Sequence, residues 1–283
     1  MASRREKRRR QRRNQGTNPN VWLAAFVFVV ATVGVLGFQF YQSLDKIDGD
    51  TGCIIGQPPQ KHTVFLVDRS DDFSQRQVND LRRVLVQTFQ ELEINELFSI
   101  YAIGGDVPSI PAPIGQFCRP PQRSGEGNQI SGEGFLAQRY ERIFDNNVNP
   151  ILDNLTAPLQ SEESPLLEWI VAISESRDFS APSLQDRRMV IFSDMVQYVP
   201  QEDFQYCGRF PSFDQFRGGR YYQRITTSLT NVRVTIYNVR RPNGSNCTSL
   251  AQRDMRALED FWFEYFDDAG ATMSPRRFTR IGE

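Results

Sequence analysis

One segment near the amino terminus limits what this chain can fold into more than any other feature. Residues Val21 to Tyr41 read VWLAAFVFVVATVGVLGFQFY, and no charged residue occurs between Arg13 and Asp45. At a rise of about 1.5 Å per residue, a helix of this length spans the roughly 30 Å hydrocarbon core of a bilayer. The segment therefore predicts a transmembrane helix over residues 21–42.

The residues before this apolar segment predict its orientation. Residues 1–20 contain eight arginine and lysine residues and one glutamate, and basic flanks of this kind stay in the cytoplasm. We expect an uncleaved anchor, because a signal peptide has a shorter apolar core and a small-residue cleavage site, whereas this one ends in FQFYQSLDK. The predicted location is the inner or plasma membrane, with the amino terminus cytoplasmic and the carboxyl-terminal domain periplasmic or extracellular. Membrane lipid is the predicted partner of the anchor and the basic tail.

The rest of the chain is mildly acidic. Once the tail is set apart, 25 basic and 33 acidic residues are left of the 33 and 34 in the full chain. This balance argues against nucleic-acid binding, which needs a basic surface. The predicted organisation is a basic tail (1–20), a transmembrane helix (21–42), a polar linker (43–60) and one extracytoplasmic domain (61–283), whose length suits a single α/β domain.

Strand-like and helix-like segments alternate after residue 60. Continuous apolar stretches predict four buried strands, which read HTVFLV (62–67), LFSIYAI (97–103), RMVIFS (188–193) and VRVTIYNV (232–239). Helical spacing predicts helices at 74–92, with Ser74 as N-cap, and at 135–155, 164–176 and 249–269. Pro150 should break or kink the second of these. The alternation favours a Rossmann-like, doubly wound, mostly parallel sheet.

Four cysteines follow the predicted anchor: Cys53, Cys118, Cys207 and Cys247. None lies in a CxxC pair, which argues against zinc, and an even number in an oxidising compartment predicts two disulfides. Three pairings are open from the sequence. We predict Cys207–Cys247, because the loops after the third and fourth strands should emerge side by side, and Cys53–Cys118 by elimination.

Polar residues follow the predicted strands at the end where parallel sheets bind their ligands. Asp68, Ser70 and Asp72 come after the first strand. Asp194 follows the third strand, and Ser164 precedes the apolar helix. Carboxylate and hydroxyl oxygens are the ligands that Mg²⁺ and Ca²⁺ prefer. These five residues are the candidate metal ligands, with Mg²⁺ or a similar divalent cation as cofactor. We expect Asp68, Ser70 and Asp194 to line one polar crevice with Ser164 opposite, and Asp68 to face solvent.

This layout resembles the von Willebrand factor A (vWA), or integrin I-like, family. That family places a D-x-S-x-S motif after its first strand, a threonine before a central helix and an aspartate after a later strand. Asp68 and Ser70 match the start of the motif. Ser164 stands at the threonine position and Asp194 at the aspartate position.

The chain also departs from this family at two positions. Asp72 stands where the motif has its last serine, and Met195 stands where glycine usually follows the aspartate. The resemblance covers roughly residues 61–269, and it implies a vWA-like sheet with a metal-ion-dependent adhesion site.

The resemblance implies a binding module. We expect a membrane-anchored protein-binding or scaffold subunit of an envelope complex, with a protein partner in or outside the membrane. A metal-free, degenerate vWA scaffold is an alternative that the sequence leaves open.

An enzyme of Rossmann-like fold is the other alternative. Asp68, Asp72, Glu163 and Asp194 together would hold Mg²⁺ for phosphoester hydrolysis. Against this, the chain has no P-loop and no G-x-S-x-G motif. The single histidine, His62, begins a predicted strand, and we expect it to be structural. We therefore expect no enzymatic activity.

Overall fold

The structure is a computed structural model of the chain, and it describes residues 19–42, 44, 46–70, 72–104, 111–123, 126, 133–156, 163–199, 202, 211–239 and 252–281. Two compact units are present. Helix α1 (Pro19–Gln42) belongs to the first, and the residues described from 46 onward belong to the second.

Helix α1 exposes apolar side chains such as Trp22 and Phe26 along its length. Thr32 donates its hydroxyl to the carbonyl of Phe28 at 2.8 Å, so this polar group is satisfied within the helix. Within the described residues, the segment Asn20–Gln39 is the one helical stretch long and apolar enough to cross a membrane, judged by length and composition. The predicted apolar helix is therefore present, and its orientation stays a prediction.

A six-stranded sheet forms the centre of the second unit. Its strands are β1 (Lys61–Asp68), β2 (Leu97–Ile103), β3 (Gly115–Cys118), β4 (Asp186–Ser193), β5 (Val232–Val239) and β6 (Thr272–Ile281). They lie in the order β3-β2-β1-β4-β5-β6, with β3 antiparallel to β2 and the other neighbouring pairs parallel. The predicted α/β fold with a mostly parallel sheet is confirmed.

Helices cover both faces of this sheet. They are α2 (Gln75–Glu91), α3 (Glu133–Thr156), α4 (Leu166–Glu175), α5 (Phe213–Arg217), α6 (Arg220–Ile225) and α7 (Gln252–Asp268). In β1, Val64 and Leu66 join the core that includes α4 and α7, whereas Phe65 and Val67 join the core that includes α2 and α3. Because both faces are buried, the central strands are apolar at nearly every position.

The sequence pattern does not predict β3, β6, α5 or α6. These elements are short or polar. Strand pairing holds β3, as in the antiparallel register of Leu97 with Cys118, and β6. Buried side chains such as Phe213 and Tyr221 hold α5 and α6. Helix α3 continues through Pro150 instead of breaking there. Burial of Val148, Ile151 and Leu152 against the sheet stabilises the turns on either side of the proline.

Residues 46–60, predicted as a linker, contact the domain. Cys53 and Cys118 form a disulfide, with Cα atoms 4.7 Å apart, which confirms this predicted pair. The amide of Cys118 also donates to the carbonyl of Thr51 at 2.8 Å. The segment is thus part of the compact unit from residue 46 onward. The other predicted pair, Cys207–Cys247, lies outside the described residues.

Candidate functional site

Asp68 is the last residue of β1, and its carboxylate lies inside the domain. Its Oδ2 atom accepts hydrogen bonds from the Ser164 hydroxyl at 3.0 Å and from the Ser193 hydroxyl at 2.9 Å. Its Oδ1 atom accepts the amide of Ser70 at 3.0 Å. We call Asp68, Ser70, Ser164 and Ser193 the Asp68 cluster. Three segments that are distant in sequence therefore meet at one carboxylate.

The sheet explains why these residues meet. Strands β1 and β4 are parallel neighbours, with Val67 in register with Phe192. The next residue of each strand, Asp68 in β1 and Ser193 in β4, therefore lies side by side with the other. Ser164 is brought in by two backbone hydrogen bonds to Tyr198, at 2.8 and 2.9 Å. This bridge fixes the segment before α4 against the segment after β4.

The cluster is more buried than the sequence predicts. Asp68 is only 5% exposed, so the expectation that it faces solvent is wrong, and Ser164 is only 2% exposed. The segments that carry Ser164 and Ser193 cover the carboxylate, and a strand end becomes an interior site as a result. Ser70 is half-buried and Asp72 is exposed.

Ser193 belongs to the cluster, although the sequence pattern does not single it out. It is 1% exposed, and its hydroxyl oxygen also accepts the amide of Met195 at 2.7 Å. Ser193 thus joins Asp68 to the turn after β4. Its place directly before Asp194, at the end of a predicted strand, is the signal that could have identified it.

Met195 adopts a left-handed backbone conformation, with φ at 63°. This explains why glycine suits the position, since glycine reaches positive φ without the roughly 1–2 kcal/mol that other residues lose there. The Met195 carbonyl accepts the indole N–H of Trp262 at 2.7 Å, and the Met195 side chain is fully buried. These contacts hold the turn in place without glycine.

Asp194 is placed by the same turn. Its Oδ1 accepts the amide of Val196 at 3.0 Å, and its backbone carbonyl accepts the side-chain amide of Asn238 at 3.0 Å. The residue is half-buried. Of the five predicted metal ligands, hydrogen bonds join Asp68, Ser70 and Ser164. Asp194 directly follows the cluster residue Ser193 in the chain.

The donor set is one of oxygens. Within the described part of the chain, no group of three or more His, Cys, Asp or Glu side chains is arranged to hold a metal. A divalent cation would therefore depend on hydroxyl oxygens beside the Asp68 carboxylate. Hydroxyl hydrogens rotate, so Ser164 and Ser193 can direct a lone pair at a cation, and the residues fit a hard ion such as Mg²⁺.

His62 lies at the opposite end of β1, about 20 Å from Asp68 at the usual rise of a strand. It is fully buried, and its Nε2 atom lies 2.8 Å from Oγ of Ser99. Burial lowers the pKa of His62 to about 4, so the ring is neutral at physiological pH. The only histidine of the chain is therefore remote from the Asp68 cluster.

Among known proteins, this chain is similar to solved structures. No protein-family model matches this chain, and no curated protein matches it. Among solved structures, the crystal structure of an aerotolerance-related membrane protein from Bacteroides fragilis NCTC 9343, with multiple mutations to serines, is similar. The sequence identity is 12% and the TM-score 0.34, over 78% of this chain and 92% of that chain. The sheet order and the contacts of the Asp68 cluster are features of this structure itself and do not depend on this similarity.

Proposed function

We propose that this protein is a membrane-anchored, vWA-like binding module, which serves as a protein-binding or scaffold subunit of an envelope complex. The observation that carries the proposal is the Asp68 cluster at the carboxyl ends of β1 and β4. This is the end at which α/β sheets bind their ligands. The apolar helix α1 and the basic tail support anchoring to lipid, with the amino terminus in the cytoplasm.

The proposed binding surface surrounds the buried carboxylate. Asp72 is exposed, and Ser70 and Asp194 are half-buried, so these residues are available to a partner. We propose Asp68, Ser70, Asp72, Ser164 and Asp194 as the residues that hold Mg²⁺. When bound, the cation would supply an electrophilic centre for a carboxylate of the partner.

A metal-free scaffold is the second candidate, and one observation favours it. Asp68 accepts three hydrogen bonds from within the domain, so the buried carboxylate is satisfied without a cation. In that case the cluster would fix the loops of a binding surface without binding an ion. A non-enzymatic role is part of both candidates, and the burial of His62 far from the cluster supports it.

The test compares the full-length protein, purified in detergent, with its Asp68→Asn variant, which keeps the side-chain size but removes the charge. A cation at 100-fold over its Kd stabilises the native state by about 2.7 kcal/mol. We expect Mg²⁺ to raise the Tm of the wild type but not of the variant. Crosslinking in native membranes should capture a partner with the wild type and less of it with Asp68→Asn.

These measurements distinguish the metal-binding module from the metal-free scaffold. A wild-type Tm that does not respond to millimolar Mg²⁺ or Mn²⁺, with capture unchanged in Asp68→Asn, would leave only the metal-free scaffold. A wild type that captures no partner would overturn the binding role itself. Reporter fusions at the carboxyl terminus that are active in the cytoplasm would reverse the proposed topology.

A further inference from the structure

Helix α4 begins without a cap of its own. Its N-cap residue is Pro165, which makes no side-chain capping hydrogen bond, although the first amides of a helix need acceptors. The amide of Leu167 instead donates to Oε1 of Gln197 at 2.8 Å. Gln197 therefore caps α4 from the segment that follows β4, 30 residues away in sequence.

The carboxamide of Gln197 is fully buried, and both its oxygen and its nitrogen are engaged. Its Nε2 atom donates to Oε2 of Glu168 at 2.9 Å and to the hydroxyl oxygen of Tyr221 at 2.7 Å. The Tyr221 hydroxyl donates to Oε1 of Glu168 at 2.6 Å. We call Glu168, Gln197 and Tyr221 the glutamine network. It joins the first turn of α4, the segment after β4 and helix α6.

Burial keeps the Tyr221 hydroxyl protonated. Desolvation, and then the negative charge of Glu168, raise the pKa of Tyr221. The hydroxyl therefore remains a donor to Glu168 across the physiological range. Removing the partner of a buried hydrogen-bonding group lowers the free energy of unfolding. The network therefore resists separation of the elements that it joins.

The network adjoins the Asp68 cluster on both sides. Gln197 precedes Tyr198, whose backbone pairs with Ser164, and it follows the Met195 turn, whose amide binds Ser193. The hydroxyls of Ser164 and Ser193 donate to the same oxygen of Asp68. Their convergence requires a fixed spacing between the segment before α4 and the segment after β4.

We propose that Gln197 is a positioning residue for the Asp68 cluster. It holds the start of α4 against the segment after β4, so that the two serine hydroxyls converge on Asp68. This inference rests on the proposed function of the cluster as a binding site. Gln197 acts through Leu167 and Glu168, and it supplies no ligand itself.

The test uses full-length protein in detergent and two variants. Gln197→Met keeps an unbranched side chain of similar length but removes the hydrogen bonds of the carboxamide. Thr88→Val is the control, since it removes another buried hydrogen bond, from the Thr88 hydroxyl to the carbonyl of Val84 at 2.8 Å. Thr88 lies in α2 near its carboxyl end, and it contributes nothing to the network.

Two readouts distinguish positioning from general destabilisation. Hydrogen exchange should become faster in peptides covering residues 163–169 and 193–198 of Gln197→Met, and it should be unchanged there in Thr88→Val. Titration calorimetry with Mn²⁺ should give a roughly 10-fold to 100-fold weaker affinity for Gln197→Met, as for other residues that orient metal ligands. The affinity of Thr88→Val should equal that of the wild type.

The outcomes separate this inference from the proposed function. If the wild type binds no Mn²⁺, the metal site fails, and the exchange of the two peptides still decides the role of Gln197. Exchange in Gln197→Met that matches Thr88→Val would overturn the positioning role. If Gln197→Met does not fold, Tyr221→Phe takes its place, because it removes one donor to Glu168 and should show the same pattern more weakly. Unchanged exchange in Tyr221→Phe would then overturn the role.

Discussion

Strand β1 carries a buried polar residue at each end, and the two ends are built differently. At the amino end, the His62 ring lies between a strand residue, Ser99, and the carbonyl oxygen of Asp178 in the turn after α4, which is 3.3 Å from Nδ1. Ser99 of β2 contacts the ring at 2.8 Å, and Gln116 of β3 donates to Ser99 at 3.0 Å. At the carboxyl end, Asp68 is bound by residues that end strands or lie in the segments between elements.

The difference in partners is also a difference in charge and access. The His62 ring is neutral, fully buried and in edge contact with the Phe179 ring, with the ring centroids 5.3 Å apart. The Asp68 end carries a carboxylate, and half-buried or exposed residues such as Ser70 and Asp72 follow it in the chain. A buried polar group among neutral partners stabilises the sheet, whereas a charged one beside exposed oxygens can also bind a ligand. The His62 ring is therefore suited to a structural role, and the Asp68 end is the one suited to recognition.

The largest expected effect on stability is at the Asp68 end of β1. Asp68→Ala should lower the free energy of unfolding by about 4 kcal/mol, because two buried hydroxyls and one amide lose their acceptor and each such loss costs about 1–3 kcal/mol. Urea unfolding of the full-length protein measures this change. Asp80→Ala is the control, since Asp80 forms a surface ion pair with Arg83 that should contribute less than about 1 kcal/mol. Equal losses in the two variants would contradict the burial of Asp68.

The His62 end of β1 should respond to pH. The pKa of His62 is about 4 in the native state, and it lies near 6.5 when the residue is exposed. Between these values the unfolded chain binds a proton that the native state does not, so stability falls as the pH falls from about 6.5 to 4. The loss from this group should reach roughly 3 kcal/mol, because a tenfold difference in proton affinity between the two states corresponds to about 1.4 kcal/mol.

The His62→Gln variant isolates this contribution from that of the carboxylates. Chemical unfolding of the wild type and the variant at pH 7 and pH 4 gives the difference of two differences. We expect the wild type to lose roughly 3 kcal/mol more than the variant over this range. The same loss in both proteins would show that His62 is not held neutral.

Two serines offer a matched test of the two ends. Ser99 contacts His62 and Ser193 contacts Asp68, and both residues are at most 1% exposed. Each substitution by alanine should lower stability by about 1–2 kcal/mol, the usual cost of leaving a buried partner unsatisfied. Only Ser193→Ala should also weaken the response of the Tm to Mn²⁺. A response lost equally in Ser99→Ala would remove the distinction between the two ends.

The sequence predicts the frame of the molecule because that frame depends on local patterns. Strands β1, β2, β4 and β5 are continuous apolar stretches, which indicate burial on both faces. Ser74 caps α2, as its position before the apolar spacing predicts. The position of Asp68 beside the end of β4 follows from the shared edge of parallel strands. These features require only the order of residues within a segment and the rule for parallel sheets.

The remaining features depend on contacts between distant segments. Gln197 and Trp262 bind backbone groups that lie 30 and 67 residues away, and nothing in their local sequence marks them. The burial of Asp68 likewise results from two segments that close over it, so a pattern that placed it at a strand end did not predict that burial. Strand β3 is held in the sheet by its pairing with β2, so its own composition gives no strand signal.

The smallest effect on stability should come from Asp72, and it decides how far the binding surface extends from Asp68. Asp72 is exposed, so Asp72→Ser should change the free energy of unfolding by no more than about 0.5 kcal/mol. The substitution also completes the D-x-S-x-S motif. If the Asp72 carboxylate is a ligand, its loss should weaken Mn²⁺ binding severalfold in calorimetry, since a charged oxygen is replaced by a neutral one. Asp80→Ser is the control for a general loss of surface charge. Binding that is unchanged in Asp72→Ser would confine the cation site to the buried cluster, and the contrast between the two ends of β1 would then rest on Asp68 and its serines alone.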